Sequence, residues 1–363
     1  MRIRVLGLIL VPLFLYVSDH ASCGPLPDAP NEEHTPGRGT VESGLSDLAR
    51  SDNLYLSKAL SGYSVGQAVA AHNLAVVPIL TVNRDEPQGG FVALDEALSS
   101  DLLVIEEIGE GGAVPTLQVS SKHNRAILLP FGAIVTGGKQ DRMIREDMVL
   151  KPGETKDVSV YCVEAGRWSA PDSGLAFKLS GSLASTRLKS LSNSDVSQSR
   201  VWRDVSWSND VFLNRSTTAN FQGNLETEKF KDSAAELEPV KKAIGAQSGV
   251  CGAVIVVDGK VSGAEVFASS DYFSNLWPQL FDSYVIDATL SEGSTEAEPE
   301  EAEEAARHYL SLIGSASITQ TERDGEIRLA IESVGHRGYA LIEAQEGRLV
   351  HLRLFPKMRE VAE

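Results

Sequence analysis

Three cysteines in 363 residues, Cys23, Cys162 and Cys251, form no C-x-x-C pair, which excludes a redox dithiol and a zinc knuckle. Basic residues are also scarce: 33 Lys plus Arg stand against 50 Asp plus Glu, for a formal charge of -17. Such a chain repels a phosphate backbone, so nucleic acid is not an expected partner. After residue 22 no apolar run approaches the roughly 20 residues that a membrane span requires. Hydrolase signatures are missing as well. There is no G-x-S-x-G elbow and no H-E-x-x-H helix. The body histidines His72, His123, His308, His336 and His351 are scattered without metal-ligand spacing. No metal and no cofactor are expected.

What is present begins with a leader. Arg2 and Arg4 precede the apolar run from Val5 to Val17, and polar Ser18-Asp19-His20 follows, the layout of a secretory signal peptide over residues 1–22. Cys23 after Ala21-Ser22 resembles the end of a lipoprotein signal, although Asp19 and His20 occupy positions that are apolar in such signals. The expectation is an extracytoplasmic protein: periplasmic, secreted or lipid-anchored. Membrane association would come only through a lipid on Cys23. Residues 23–44, rich in proline and glycine, read as a flexible linker.

The body, residues 45–358, reads as a single α+β unit: β-rich from 64 to 180, helical in the middle from 181 to 248, and β-rich with a helix from 249 to 358. Short apolar runs at Leu74–Val82, Leu102–Ile108, Thr116–Val119, Ala126–Leu129, Ala133–Thr136 and Asp157–Val163 alternate with turn formers such as Gly137-Gly138 and Pro152-Gly153. That rhythm favours antiparallel sandwich or barrel-like lobes, with Pro78 placing its strand at an edge or a bulge. Ser180 to Ser248 is polar with spaced aromatics and reads as a loosely packed, partly helical segment. Beyond it, Gly252–Val257, the Asp258-Gly259 turn and Val261–Phe267 make a clear hairpin. A short helix over Tyr272–Leu280 and a strand over Tyr284–Ala288 are expected next. The acidic run from Glu292 to Glu304 then leads into an amphipathic helix. In the last strand Val350, Leu352 and Leu354 face one way and His351 and Arg353 the other, the pattern of a half-buried strand. Cys162 and Cys251 lie in β-like runs and read as two buried thiols, with a disulfide the alternative.

Two polar turns carry the candidate chemistry. The first is Gly137-Gly138-Lys139-Gln140-Asp141-Arg142. It fails as a nucleotide-binding loop, because Ala133 stands where the first glycine belongs and Gln140 where a Ser or Thr would hold Mg²⁺. Its amides beside Lys139 and Arg142 still suit a carboxylate or phosphate. The second is Glu164-Ala165-Gly166-Arg167-Trp168, which pairs a guanidinium fork with a flat apolar face. The candidate ligand contacts are therefore Lys139, Gln140, Arg142, Glu164, Arg167 and Trp168. If Met148–Leu150 pairs antiparallel with Val158–Val163, the two turns meet. They then form either a closed salt-bridge network or an open anion site, and both readings stay open here. Tyr161, Lys139 and Glu164 would make an acid–base set only if they were close.

Val135 to Arg142, Cys162 to Trp168, Gly263-Ala264-Glu265-Val266-Phe267 and His351-Leu352-Arg353-Leu354-Phe355 resemble segments of a bacterial domain family. The family is named for its association with ARG and rhodanese-phosphatase superfamily proteins. The resemblance spans roughly Ser64 to Phe355. It implies a shared fold and a shared site, and it brings no reaction or catalytic residue with it. The leading functional expectation is an extracytoplasmic ligand-binding or protein-interaction module, with an anionic small molecule or peptide as partner. The alternatives are a hydrolase or other enzyme working at the two turns, and a structural envelope protein.

Overall fold

A computed structural model describes residues 44–81, 90–108, 115–167, 177–293 and 295–358. The expected leader, Cys23 and Trp168 lie outside the described residues. Helices α1 (Leu45–Ala49) and α2 (Leu54–Leu60) precede strands β1 (Tyr63–Val65), β2 (Val69–Ala71) and β3 (Leu74–Thr81). Then come α3 (Leu94–Ser99), β4 (Leu103–Glu107), β5 (Thr116–Ser121), β6 (Ile127–Leu129), β7 (Ala133–Thr136), β8 (Arg142–Ile144), β9 (Met148–Leu150), β10 (Thr155–Cys162) and β11 (Lys178–Leu183). The middle holds α4 (Thr186–Ser192), α5 (Gln198–Phe212) and α6 (Glu228–Gly245). The remainder is β12 (Val250–Val257), β13 (Lys260–Phe267), α7 (Ser270–Leu290), α8 (Pro299–Ser311), β14 (Ser317–Arg323), β15 (Glu326–Glu332), β16 (His336–Glu343) and β17 (Arg348–Pro356).

The architecture is α+β with antiparallel pairing throughout the named strands. A nine-stranded sheet runs β1-β3-β12-β13-β17-β16-β15-β14, with β2 also on β3. A six-stranded sheet runs β11-β7-β8-β10-β5-β4, one of the sheets curls as a half barrel, and β6 pairs with β9 in a separate ribbon. Turn chemistry sets the registers. Asp258 (φ 48°) and Gly259 (φ 70°) supply the two positive φ angles of a type I′ hairpin between β12 and β13. Asp324 (φ 55°) and Gly325 (φ 83°) do the same between β14 and β15. Strand β14 is absent from the strands expected above, although Asp324-Gly325 carries the same signal.

The centre of the nine-stranded sheet is buried on both faces, while its β14 edge is exposed. Along β3, Leu74 and Val76 face one core while Ala75, Val77 and Ile79 face the other, and β12 alternates likewise. Helices α1, α2 and α8 cover the second core, and α7 with the six-stranded sheet covers the first. Each such valine, leucine or isoleucine side chain contributes about 1.5–3 kcal/mol by leaving water.

Several expectations are corrected. β3 is interior rather than an edge, because β1 pairs with residues 79–81 and β2 with 74–76. Pro78, which has no N–H to give, falls in the gap between them. The alternative of a bulge holds close by, where β12 shifts register between Val250 and Gly252, opposite Leu80 and Ile79. Tyr284–Ala288 is no strand but the end of α7, one 21-residue helix. A short apolar run looks the same in a buried helix and a buried strand, and this helix is buried almost all round. The middle segment is tightly packed, with Leu188, Val201, Val205, Phe212, Phe221 and Phe230 in the core. Strand β17 is buried on its polar side too, with His351 fully buried and Arg353 nearly so. Cys162 and Cys251 are free, buried thiols.

Candidate functional site

The two expected turns do meet, through a strand other than the expected one. β9 pairs with β6, and it is β8 that runs beside β10, setting Arg142 opposite Cys162. Arg167 then reaches back across the gap. Its Nε donates to both Glu164 oxygens at 3.0 Å, Nη1 to the Gly138 carbonyl at 2.9 Å, and Nη2 to Asp141 at 3.1 Å and Glu164 at 2.6 Å. Gln140 donates to the Glu164 carbonyl, and the Asp141 amide to the Glu164 carboxylate. Arg142 is wholly buried and donates to Gln140, Cys162 and Glu107. Burial and the neighbouring Glu164 push Asp141 up to about 6, although Arg167 opposes this. Burial opposes ionisation of Glu164 too, but its hydrogen bonds from Arg167 and Thr218 hold it below the usual range. Burial raises the Cys162 thiol to about 11, which removes it as a thiolate nucleophile.

This arrangement is a closed ion-pair lock, with the Arg167 donors spent on protein acceptors. Lys139 is half-buried and gives its amide to Glu107. Tyr161 turns away, donating to the Val196 carbonyl and lying under the Arg145 guanidinium, so it does not join Glu164 in an acid–base set. Arg167→Ala would leave Asp141 and Glu164 side by side without their shared cation. Stability should fall by about 1.5–3 kcal/mol, and by more at pH 8 than at pH 5, because both carboxylates are then ionised. Urea unfolding at the two pH values checks this; an equal loss at both would contradict the lock.

A second polar cluster comes from the register of the large sheet. Glu265 on β13 faces Arg353 on β17, which faces Tyr339 on β16, then Ala330 on β15 and Thr319 on β14. The neighbouring row reads Phe267, His351, Leu341, Arg328 and Thr321. One face of the sheet thus carries polar residues from the buried interior out to the exposed edge. Above it sits Asp147, in the loop between β8 and β9, accepting from the Phe131 amide at 2.8 Å and from Arg353 Nη1 at 2.6 Å. His351 Nδ1 lies 2.7 Å from Asp147, while its ring stacks on Phe267 and its Nε2 stands 3.7 Å from Glu265. Lys189 of α4 closes the chain with a 2.7 Å bond to Glu265. Burial opposes ionisation of Asp147, but the charges of Arg353 and His351 hold its carboxyl far below the usual range.

This cluster floors a cavity of about 430 Å³, whose wall includes Arg145, Asn193, Arg328, Tyr339 and Arg353. Arg353 is 4% exposed and sandwiched between the rings of Phe131 and Tyr339, at 4.1 and 4.7 Å. Its Nε reaches Asn193 at 3.4 Å, and its Nη2 has no acceptor among the described residues. Arg145 pairs with the exposed Asp195, and Arg328 with Glu146, by contacts of a kind worth about 0–1 kcal/mol, while Arg328 is also held by Glu326 at 2.9 Å and donates to the Asp147 carbonyl at 3.1 Å. The Asp195 and Glu146 contacts exchange readily for a ligand. Among the described residues no group of three or more His, Cys, Asp and Glu is arranged to hold a metal.

The model of the ARG and Rhodanese-Phosphatase-superfamily-associated Protein domain, ARPP-1, matches residues 62–355. The chain belongs to that family. No curated protein and no solved structure matches it. The ARPP-1 domain runs from the start of β1 nearly to the end of β17, so it contains both the lock and the cavity. Most cavity residues escape sequence reasoning, because they come from segments about 200 positions apart. One signal was present. Two of the segments that carry the family resemblance, Gly263–Phe267 and His351–Phe355, contain Glu265, His351 and Arg353, and they pair directly in the sheet.

Proposed function

We propose that the chain is an extracytoplasmic binding module for a small anionic ligand, either a free carboxylate or the carboxylate of a peptide, received in the cavity over Arg353. The observation that carries this reading is the Arg353 side chain: it lines the cavity, is buried and fixed by Asp147 and two aromatic rings, and its Nη2 has no acceptor among the described residues. A guanidinium held this way has already lost its rotamer freedom, so an incoming carboxylate gains a charge-assisted hydrogen bond at little ordering cost. Arg145 and Arg328 at the mouth supply further donors and draw anions in against the chain's overall negative charge. The extracytoplasmic part rests on the leader.

Calorimetric or NMR titration with short carboxylates tests the site. Arg145→Ala and Arg328→Ala should each weaken binding about tenfold, the equivalent of about 1.4 kcal/mol, with weaker binding at higher salt. Carboxylate affinity unchanged in both variants, or lost only on Arg167→Ala, would overturn the assignment.

A further inference from the structure

A second cavity, of about 540 Å³, adjoins the first, and the two share Ser194 and Asp195 as a common wall. Its lining includes Arg200 of α5, Arg337 of β16 and Lys357 just beyond β17. Arg337 and Lys357 both lean on one carboxylate, Glu332, and Asp195 is already engaged by Arg145. Arg200 makes no side-chain hydrogen bond among the described residues and only lies near Asp204. The acids at hand therefore leave cationic charge over, on a protein whose formal charge is -17.

The sheet fixes the spacing between the two cavities. Arg337 stands two residues before Tyr339 on β16, on the same face, and Tyr339 is the register partner of Arg353. One strand step of about 4.8 Å and one two-residue step of about 6.8 Å put the Arg337 and Arg353 backbones roughly 8 Å apart. Asn193 spans the interval: its Oδ1 accepts from Arg353, and its Nδ2 donates to the Arg337 carbonyl at 2.8 Å.

We propose that the ligand is a dicarboxylate whose two charged ends lie roughly 8 Å apart, one on Arg353 and the other among Arg200, Arg337 and Lys357, with its middle crossing Ser194 and Asp195. The proposal rests on the reading of the first cavity as a carboxylate site. Carboxylates fit better than phosphates, because Glu146 and Asp195 on the rim repel a dianionic group more strongly than a singly charged one. Joining the two ends makes the second contact intramolecular, so affinity should rise steeply once the spacer reaches, and not before.

Full-length protein titrated with heptanoate, succinate, pimelate and suberate provides the test. Pimelate or suberate should bind at least about tenfold more tightly than heptanoate, whereas succinate, too short to bridge, should not. Arg200→Ala should abolish that gain and leave heptanoate affinity unchanged; the Arg200 side chain is half-exposed and makes no hydrogen bond among the described residues, so the fold is not at risk. If heptanoate binds and the longer dicarboxylates bind no better, the two-ended ligand is wrong and the Arg353 site stands. If none of the four binds, both readings fall.

Discussion

Asp147→Asn should destabilise the protein by about 3–5 kcal/mol, the loss typical when one partner of a buried ion pair is removed. Asp147 is buried and accepts from the Phe131 amide and from Arg353, with His351 Nδ1 also on it. An asparagine amide turns one of those acceptors into a donor facing a donor, and it leaves the Arg353 charge without its counter-ion. The pH dependence follows from the depressed folded-state pKa of Asp147. A group of this kind contributes stability above its unfolded value of about 3.9, and that contribution is lost as pH falls through the folded value. The gap between wild type and variant should therefore be widest near neutrality and narrow below about pH 4. Guanidinium unfolding from pH 7 down to pH 3 measures it. A gap that stays constant across that range would mean Asp147 is not the charged centre of the cluster.

Lys189→Met is the second large effect. The lysine is fully buried, its ammonium on Glu265 and its stem against Gly132. At Gly132 (φ 83°) an added Cβ would stand 2.7 Å from Lys189 Cε, so only glycine leaves room for that stem. Methionine keeps most of the volume and removes the charge. Among the described residues the ion-pair contact left to the Glu265 carboxylate is His351 Nε2, at 3.7 Å, and the loss should again be about 3–5 kcal/mol. Adding Glu265→Gln should restore part of it, because the stranded charge disappears. If the double variant loses the full sum of the two single losses, the pair is not coupled and the polar chain from Lys189 to Arg353 does not act as a unit.

The meeting of the two turns was legible in sequence because it is local, although the sequence left open whether they close as a lock. Gly137-Gly138 and the reversal at Pro152-Gly153 lie within one run of short strands, and the charges sit beside the glycines. Even so, the strand that joins them was misplaced: β8 and β9 are three residues each, too short for alternation to rank them. The cavity was illegible for a different reason. His351 and Arg353 alternate with leucines, which reads as a solvent-facing side, and only the packing of α4 and the Asp147 loop over that side makes it interior. Charge pattern reports which residues share a face; it does not report what covers the face. The apolar end of α7 misled for the same reason, since burial all round erases the period that separates helix from strand.

The most direct measurement is a crystal structure of the protein grown with a saturating short carboxylate. The carboxylate should lie on Arg353 Nη2, between Arg145 and Arg328, with Asp147 and His351 unmoved beneath it. A carboxylate seated instead at the Gly137–Arg142 turn, with the Arg353 cavity holding only water, would contradict the account.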